Sequence, residues 1–551
     1  MMPSWARLLF AGQPTLFYRV KMLDRVCVEQ WTTYHGQEQG ELHRLTFLAE
    51  VDPAAMGSGG GKIRLRGELW CTPELEPVRY SLQGDNVRLR QRFSADQVDI
   101  LLPDGSTQRM DRAGATFLSD GNFPATLALV YAAVSGGAAP PPIEHLKLKL
   151  FVANTLVTVP YETSPADDLT SPSGRWHRTS HRTEVLLDES GVMLEARSPD
   201  SGLSATLLRQ GPPVPDWPDP LIPGAPPLAY RPPQGARFRL EDVEIPGPVT
   251  PIGATLSIPP GEGPFPAVLF ISGSGTHDRH GIAGKIDIGS HEVMDDLAAH
   301  GFVGLRFDTR GAGTTRLGAD FLDHGLGADI ADARACLAYL SARPEAAGQP
   351  LFLIGHSQGA TIALVLAGEP SREPGVRGVV LMAAMGRDLD EVLADQILAH
   401  GQRLGLSAAQ IEAQQADTRE VAELIRSGRP WDAEQLPHHL LATFRTRTWY
   451  EEFLRHPTSE LIGKVHCPML LCQGREDFQV SPERDAERLL AAARRSGRDC
   501  TYALFPGLDH LFKRTRGQSS SLAEYFEPRP VAPEFLARLR TWLASRAGLK
   551  T

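Results

Sequence analysis

The chain has 551 residues, a formal net charge of −10 and six cysteines without CxxC spacing. That length exceeds what one core usually organises, so two or more domains are expected. The mild acidic balance gives no reason to expect nucleic acid or an anionic membrane as a partner; no run nears the about 18 apolar residues of a membrane span, and the scattered cysteines fit a reducing, cytoplasmic setting.

Met1 to Arg19 holds only a short apolar stretch, Leu8 to Ala11, and no secretory signal is expected. Over residues 1–210 apolar and charged side chains alternate, as in Ile63-Arg64-Leu65-Arg66, Val87-Arg88-Leu89-Arg90 and Leu146-Lys147-Leu148-Lys149-Leu150. Period two with charges on one face predicts half-buried antiparallel strands. Gly84-Asp85-Asn86, Pro103-Asp104-Gly105 and Ser119-Asp120-Gly121-Asn122 read as turns between them. One helix, Phe123 to Val134, interrupts a β-rich N-terminal domain read as a curved antiparallel sheet or half-barrel.

Residues 211–236 crowd ten prolines between Pro212 and Pro233. Proline lacks a donor and fixes φ, so this stretch is a semi-extended linker. From 237 to 551 short β-rich runs alternate with amphipathic helices. The runs are Ala267 to Ile271, Val303 to Phe307, Leu351 to Ile354, Val379 to Met382, Met469 to Cys472 and Tyr502 to Phe505. Alternation of this kind predicts an α/β fold, a mainly parallel sheet covered by helices on both faces. Arg237 to Val243 and Ala254 to Ile258 read as a leading hairpin. Residues 386–461 hold no strand-like run but several helices, including Leu389 to Leu404 and Ala408 to Ile425, and are expected to form a helical cap.

Gly355-His356-Ser357-Gln358-Gly359 fits G-x-S-x-G between a strand and a helix. Such a turn exposes the serine at a strained apex, and the helix N-terminus offers free N–H groups to a developing oxyanion. A serine hydroxyl needs a base. His510, in Gly507-Leu508-Asp509-His510, follows the run Tyr502 to Phe505, at the same sheet edge as Ser357. The histidine needs a carboxylate to fix its tautomer. Asp477, just past Met469 to Cys472, is that candidate, with Glu476 as the rival. The small residues of Ile271-Ser272-Gly273-Ser274-Gly275 suit a second oxyanion donor, so the backbone N–H groups of Ser274 and Gln358 are the candidate oxyanion hole. Asp278 and Arg279 either pair to brace that loop or are solvated. Asp308-Thr309-Arg310-Gly311-Ala312-Gly313 lacks the full dinucleotide fingerprint and reads as a structural turn. With no H-E-x-x-H, EF-hand or P-loop pattern, no metal or cofactor is inferred.

From about Phe238 onward the chain resembles the α/β-hydrolase superfamily, and more narrowly bacterial esterases related to prolyl-oligopeptidase and serine-aminopeptidase hydrolases. The residues that carry this are Pro266 to Gly275, Phe307 to Gly313, Gly355 to Gly359, Gly474 to Asp477 and Gly507 to Phe512, in that order. Two departures stand out: Ser272-Gly273 where many relatives have His-Gly, and Thr315 where a serine often follows the D-x-R-G-x-G turn. The resemblance implies a serine hydrolase acting on a small-molecule acyl substrate through an acyl-enzyme. Carboxylic esters are the first choice, with thioesterase or aminopeptidase/amidase activity, or a non-catalytic binding or scaffold role, as alternatives. The N-terminal domain is faintly similar to the curved sheets of lipoprotein-carrier-like domains, and no lipid-binding role is carried over.

Overall fold

The computed structural model describes all residues except 1, 11, 85–87, 103–106, 121–123, 137–142, 154–155, 209, 218–227, 319, 371–374, 430–435, 437–439, 441–446, 518–519 and 550–551. Contacts divide the chain into two units: residues 1–226 with 400–445, and residues 227–399 with 446–551.

In the first unit the alternating segments form a sheet of fifteen strands among the described residues. Its register is antiparallel throughout, except where Lys147–Val152 runs parallel to Phe117–Ser119. The two edge strands are Thr107–Asp111 and Phe117–Ser119, separated by only residues 112–116. Fifteen strands laid flat would span roughly 65 Å, whereas so short a connection reaches roughly 20 Å. The sheet must therefore curl until its edges approach. A helix at Pro124–Ser135 (α1) packs against this sheet, and eight of its twelve residues are buried. It packs on strands from the middle of the sheet, Thr15–Met22 and Met193–Ser198, and on the edge strand Phe117–Ser119. A helix so apolar on all sides needs enclosure, and Tyr131 and Tyr161 share a buried hydroxyl contact of 2.8 Å beside it. The antiparallel β-rich sheet expected from the sequence is thus present. The turn residues Asp85-Asn86, Pro103-Asp104-Gly105 and Gly121-Asn122 lie outside the described residues.

The proline-rich segment is anchored where it is described. Trp31 Nε1 donates to Pro212 O at 3.0 Å, and Trp217 packs with Phe17, Trp31 and Leu48. In the second unit Tyr230 stacks on His280 and donates to Asp295 at 2.9 Å.

Among its described residues the second unit holds an eight-stranded sheet: Arg239–Ile245 (β1), Ile252–Ile258 (β2), Ala267–Ile271 (β3), Val303–Phe307 (β4), Leu351–His356 (β5), Val376–Met382 (β6), Met469–Gly474 (β7) and Cys500–Phe505 (β8). Their spatial order is β1-β2-β4-β3-β5-β6-β7-β8. β1 and β2 pair antiparallel, β2 meets β4 antiparallel, and the rest are parallel. Because β4 and β5 flank β3 on opposite sides, the loops after β3 and β5 diverge and open a crevice at their C-terminal ends. One sheet face packs Val268, Phe270, Phe352, Val380 and Leu470 against Met294, Phe535 and Trp542. Those last three come from the helices Ser290–Ala299 and Pro533–Ala547.

The helical stretch 386–461 forms the expected helices, Leu389–Leu404 and Ala408–Arg426 among them. It is not one body: residues 400–445 count with the first unit. Leu404 joins the Met22 and Cys27 cluster, Gln410 and Gln414 donate to the carbonyls of Pro199 and Asp200 at 2.6 and 2.7 Å, and Arg182 pairs with Asp417. These apolar and charged contacts bind the middle of the stretch to the curled sheet's own unit, which a reading of helical periodicity could not anticipate.

Candidate active site

β5 runs straight into Ser357, and the helix Gln358–Gly368 starts at the next residue. Ser357 sits at φ 53° and ψ −118°, a left-handed φ that a side chain rarely adopts. Its N–H donates to Met382 O at 2.9 Å and its carbonyl accepts from Ala360 N at 2.9 Å, so the apex is fixed from both sides. The glycines of the motif are there for close approach. A Cβ on Gly355 would strike the Gly359 carbonyl, and one on Gly359 would strike the carbonyls of Ile271 and Ser272. The helix can therefore sit directly against the loop after β3. That loop reaches the serine: the Cβ direction of Gly273 ends 3.2 Å from Ser357 Cβ. Ser274 is next and exposed. As first residue of its helix, Gln358 has an N–H with no intrahelical acceptor.

His510 and Asp477 meet. His510 Nδ1 donates to Asp477 Oδ2 at 2.8 Å, and both side chains are buried. With Nδ1 as donor, Nε2 of the neutral ring keeps its lone pair. His356 joins this group to the serine. Its Nε2–H donates to the His510 carbonyl at 2.9 Å, and the two rings lie 4.8 Å apart. Burial first, and then the neighbouring His510, push the His356 pKa down to about 3, so His356 is a neutral strut beside His510. Glu476, the rival carboxylate, instead accepts from Gly507 N at 2.6 Å and props the loop that carries His510.

Asp477 is held by more than His510. Its Oδ1 accepts from the N–H groups of Gln479 and Val480 at 2.8 and 3.0 Å, and its Oδ2 also accepts from Gln473 Nε2 at 2.9 Å. Gln473 is wholly buried at the end of β7 and donates as well to Val480 O at 3.0 Å. Next to His510, Asp509 accepts from Leu511 N, Lys513 N and Arg529 Nη2, the last at 2.8 Å. Gln473, Asp509 and Arg529 escaped the sequence reading. A polar residue closing an apolar strand, and an acid flanking the candidate base, were the available signals.

The loop after β3 is braced differently from either expectation. Arg279 pairs with Asp308, not Asp278, at 2.6 Å, and donates to Ala254 O at 3.0 Å. Asp278 caps its own turn through His280 N and Ile282 N. The D-T-R-G-A-G turn thus ties β4 to the β3 loop, and Thr315, in place of the relatives' serine, accepts from Gly253 N at 2.8 Å. His277 Nε2 donates to Ser274 O at 2.9 Å, and burial lowers its pKa, favouring the neutral ring.

Among the described residues one group, Asp287, His291 and Glu292, has ligand-type atoms close enough for a metal ion. Its atoms are already engaged: His291 Nε2 with Asp287 Oδ2, Gly289 N with Asp287 Oδ1, and Val531 N with Glu292. No described helix is long and apolar enough to cross a membrane.

Residues 279–513 match the family described as Serine aminopeptidase, S33. The C-terminal unit is an α/β-hydrolase of the serine hydrolase kind. Its strand order, its strained serine at the end of β5 and its histidine–carboxylate pair past β7 and β8 agree with that match. Esterase EstD of Thermotoga maritima is 28% identical over 312 residues, 56% of this chain and 68% of the relative. Among solved structures, a Pyrococcus furiosus esterase matches at 16% identity and TM-score 0.38, over 59% of this chain and 97% of its own. Est1E from Butyrivibrio proteoclasticus matches at 15% and 0.34, over 56% and 99%. At such TM-scores these two likenesses support no argument about function.

Proposed function

We propose that this α/β-hydrolase cleaves carboxylic esters through an acyl-enzyme on Ser357. The observation that carries the reading is the buried 2.8 Å hydrogen bond from His510 Nδ1 to Asp477, on a histidine packed against the residue that precedes Ser357. With Nδ1–H committed to the carboxylate, Nε2 is the free base. It takes the Ser357 proton as Oγ attacks the ester carbonyl, and Asp477 stabilises the imidazolium that results. The N–H groups of Gln358 and Ser274 receive the oxyanion. Collapse expels the alcohol, which takes its proton from His510. A water deprotonated by the same nitrogen then releases the acid and restores Ser357. The esterase relative supports an ester as the scissile bond. Neutral His356 suits this cycle, since a second charged ring at 4.8 Å would oppose the imidazolium.

The test is turnover of short p-nitrophenyl esters by the wild type and Ser357→Ala. Loss of the nucleophile should cut kcat by ~10⁴-fold or more with the melting temperature unchanged. Full turnover in a folded variant would refute the proposal. Thioesters and aminoacyl amides on the same panel establish the bond preference.

A further inference from the structure

Gln358 is the residue after the nucleophile, and the proposal above assigns its backbone N–H to the oxyanion. Its side chain is also engaged. Nε2 donates to Asp329 Oδ2 at 2.7 Å, and Oε1 accepts from Trp449 Nε1 at 3.0 Å. The other oxygen of Asp329 is taken by His324 Nε2 at 2.8 Å. The sense of this chain is fixed by chemistry. An indole N–H can only donate, so the amide oxygen must face Trp449, and the amide N–H then faces the carboxylate. Gln358 is buried, so neither half of its amide can turn to water instead.

The partners are themselves tied down. Asp329 lies in the first turn of the helix Leu326–Ser341, where a negative charge is favoured. Trp449 lies on the helix Arg447–Leu454 and packs on Phe453 with ring centroids 5.1 Å apart. The same helix also reaches the start of Leu326–Ser341, where Glu452 Oε2 accepts from Gly327 N at 2.7 Å. Two anchors therefore fix the indole against the residue that begins the nucleophile's helix.

We propose that Asp329 and Trp449 are positioning residues: they clamp the Gln358 side chain from both ends and so hold its backbone N–H at the place where the oxyanion forms. The inference rests on the Ser357 reading and deepens it. A donor aimed at the tetrahedral state must be placed before the reaction, because reorienting it during the reaction costs part of what it contributes. Neither Asp329 nor Trp449 needs to touch the substrate's reacting atoms for this.

The test uses Trp449→Phe, which keeps a ring but removes the donor, and Asp329→Asn, which keeps the shape but removes the charge. An oxyanion donor is worth about 10²–10³ in kcat, so loosening one should lower kcat about tenfold. KM should stay within about twofold, and affinity for a trifluoromethyl ketone, which forms a tetrahedral adduct on the serine, should fall by the same factor as kcat. Fluorophosphonate labelling should still reach one adduct per chain. Unchanged kcat and ketone affinity in both variants would overturn the inference. So would a loss of kcat that tracks melting temperature while ketone affinity per labelled site stays at the wild-type value. Ser357→Ala, run alongside, separates the two claims: if it retains turnover, the acyl-enzyme reading fails, whereas if it is dead and the two clamp variants are normal, only this inference fails.

Discussion

His356→Gln should make the second unit less sensitive to acid. His356 is buried beside His510, and burial with that neighbour pushes its pKa from 6.5 down to about 3. The fold thus favours the neutral ring. That contribution is complete above pH 6.5 and declines as pH falls, because the unfolded chain then binds a proton that the folded one refuses. Each pH unit below 6.5 costs about 1.4 kcal/mol until the folded value is reached. At pH 5 the cost is about 2 kcal/mol, and this figure depends only on the unfolded value while the folded one stays below 5. Glutamine keeps an amide donor for the His510 carbonyl, now held at 2.9 Å, and does not titrate. Urea unfolding of wild type and variant at pH 7.5 and pH 5 provides the assay. The wild type should lose about 2 kcal/mol more than His356→Gln between the two conditions. Any constant cost of the substitution cancels in that difference. Parallel pH dependences would refute the neutral-strut account of His356.

Three further predictions concern the supports of the site. Gln473→Leu removes a donor from the Asp477 carboxylate; it should lower kcat about tenfold in steady-state ester assays with KM little changed. Gly359→Ala forces a Cβ into the carbonyls of Ile271 and Ser272 and should destabilise by about 1–3 kcal/mol on thermal melting, with ester turnover lost beyond what stability explains. Burial alone would lower the His324 pKa, but the hydrogen bond and charge of Asp329 outweigh it and leave it raised above 6.5. The stabilisation from protonated His324 is therefore complete below 6.5 and lost as pH climbs through the raised folded value, so His324→Asn should lower the melting temperature more at pH 5.5 than at pH 9.

The second unit was legible because most of its strands are short, continuous apolar runs. Ala267–Ile271 and Val303–Phe307 appear with the bounds read from sequence, and Leu389–Leu404 is a helix as its periodicity predicts. The run Leu351 to Ile354 was read two residues short. Gly355 and His356 look like loop, but they complete the strand so that Ser357 can stand at its very end. His510 pairs with Asp477, while Glu476 accepts from Gly507 N, a contact that crosses 31 residues and that no sequence pattern announces. The supports through Arg529 and Trp449 were hidden for the same reason: hydrogen bonds between distant residues leave no periodic trace. Alternation in residues 1–210 revealed strands, but not that the first and last strands of the sheet are neighbours in the chain. Nor could helical periodicity show that residues 400–445 pack on the curled sheet, because an amphipathic stripe does not name the surface that covers it.

The most direct measurement is intact-mass and peptide mapping after reaction with a fluorophosphonate. The account predicts one adduct per chain, carried by Ser357, and a labelling rate that collapses in His510→Ala. A protein that stays unlabelled, or that carries its adduct on another residue, would contradict it.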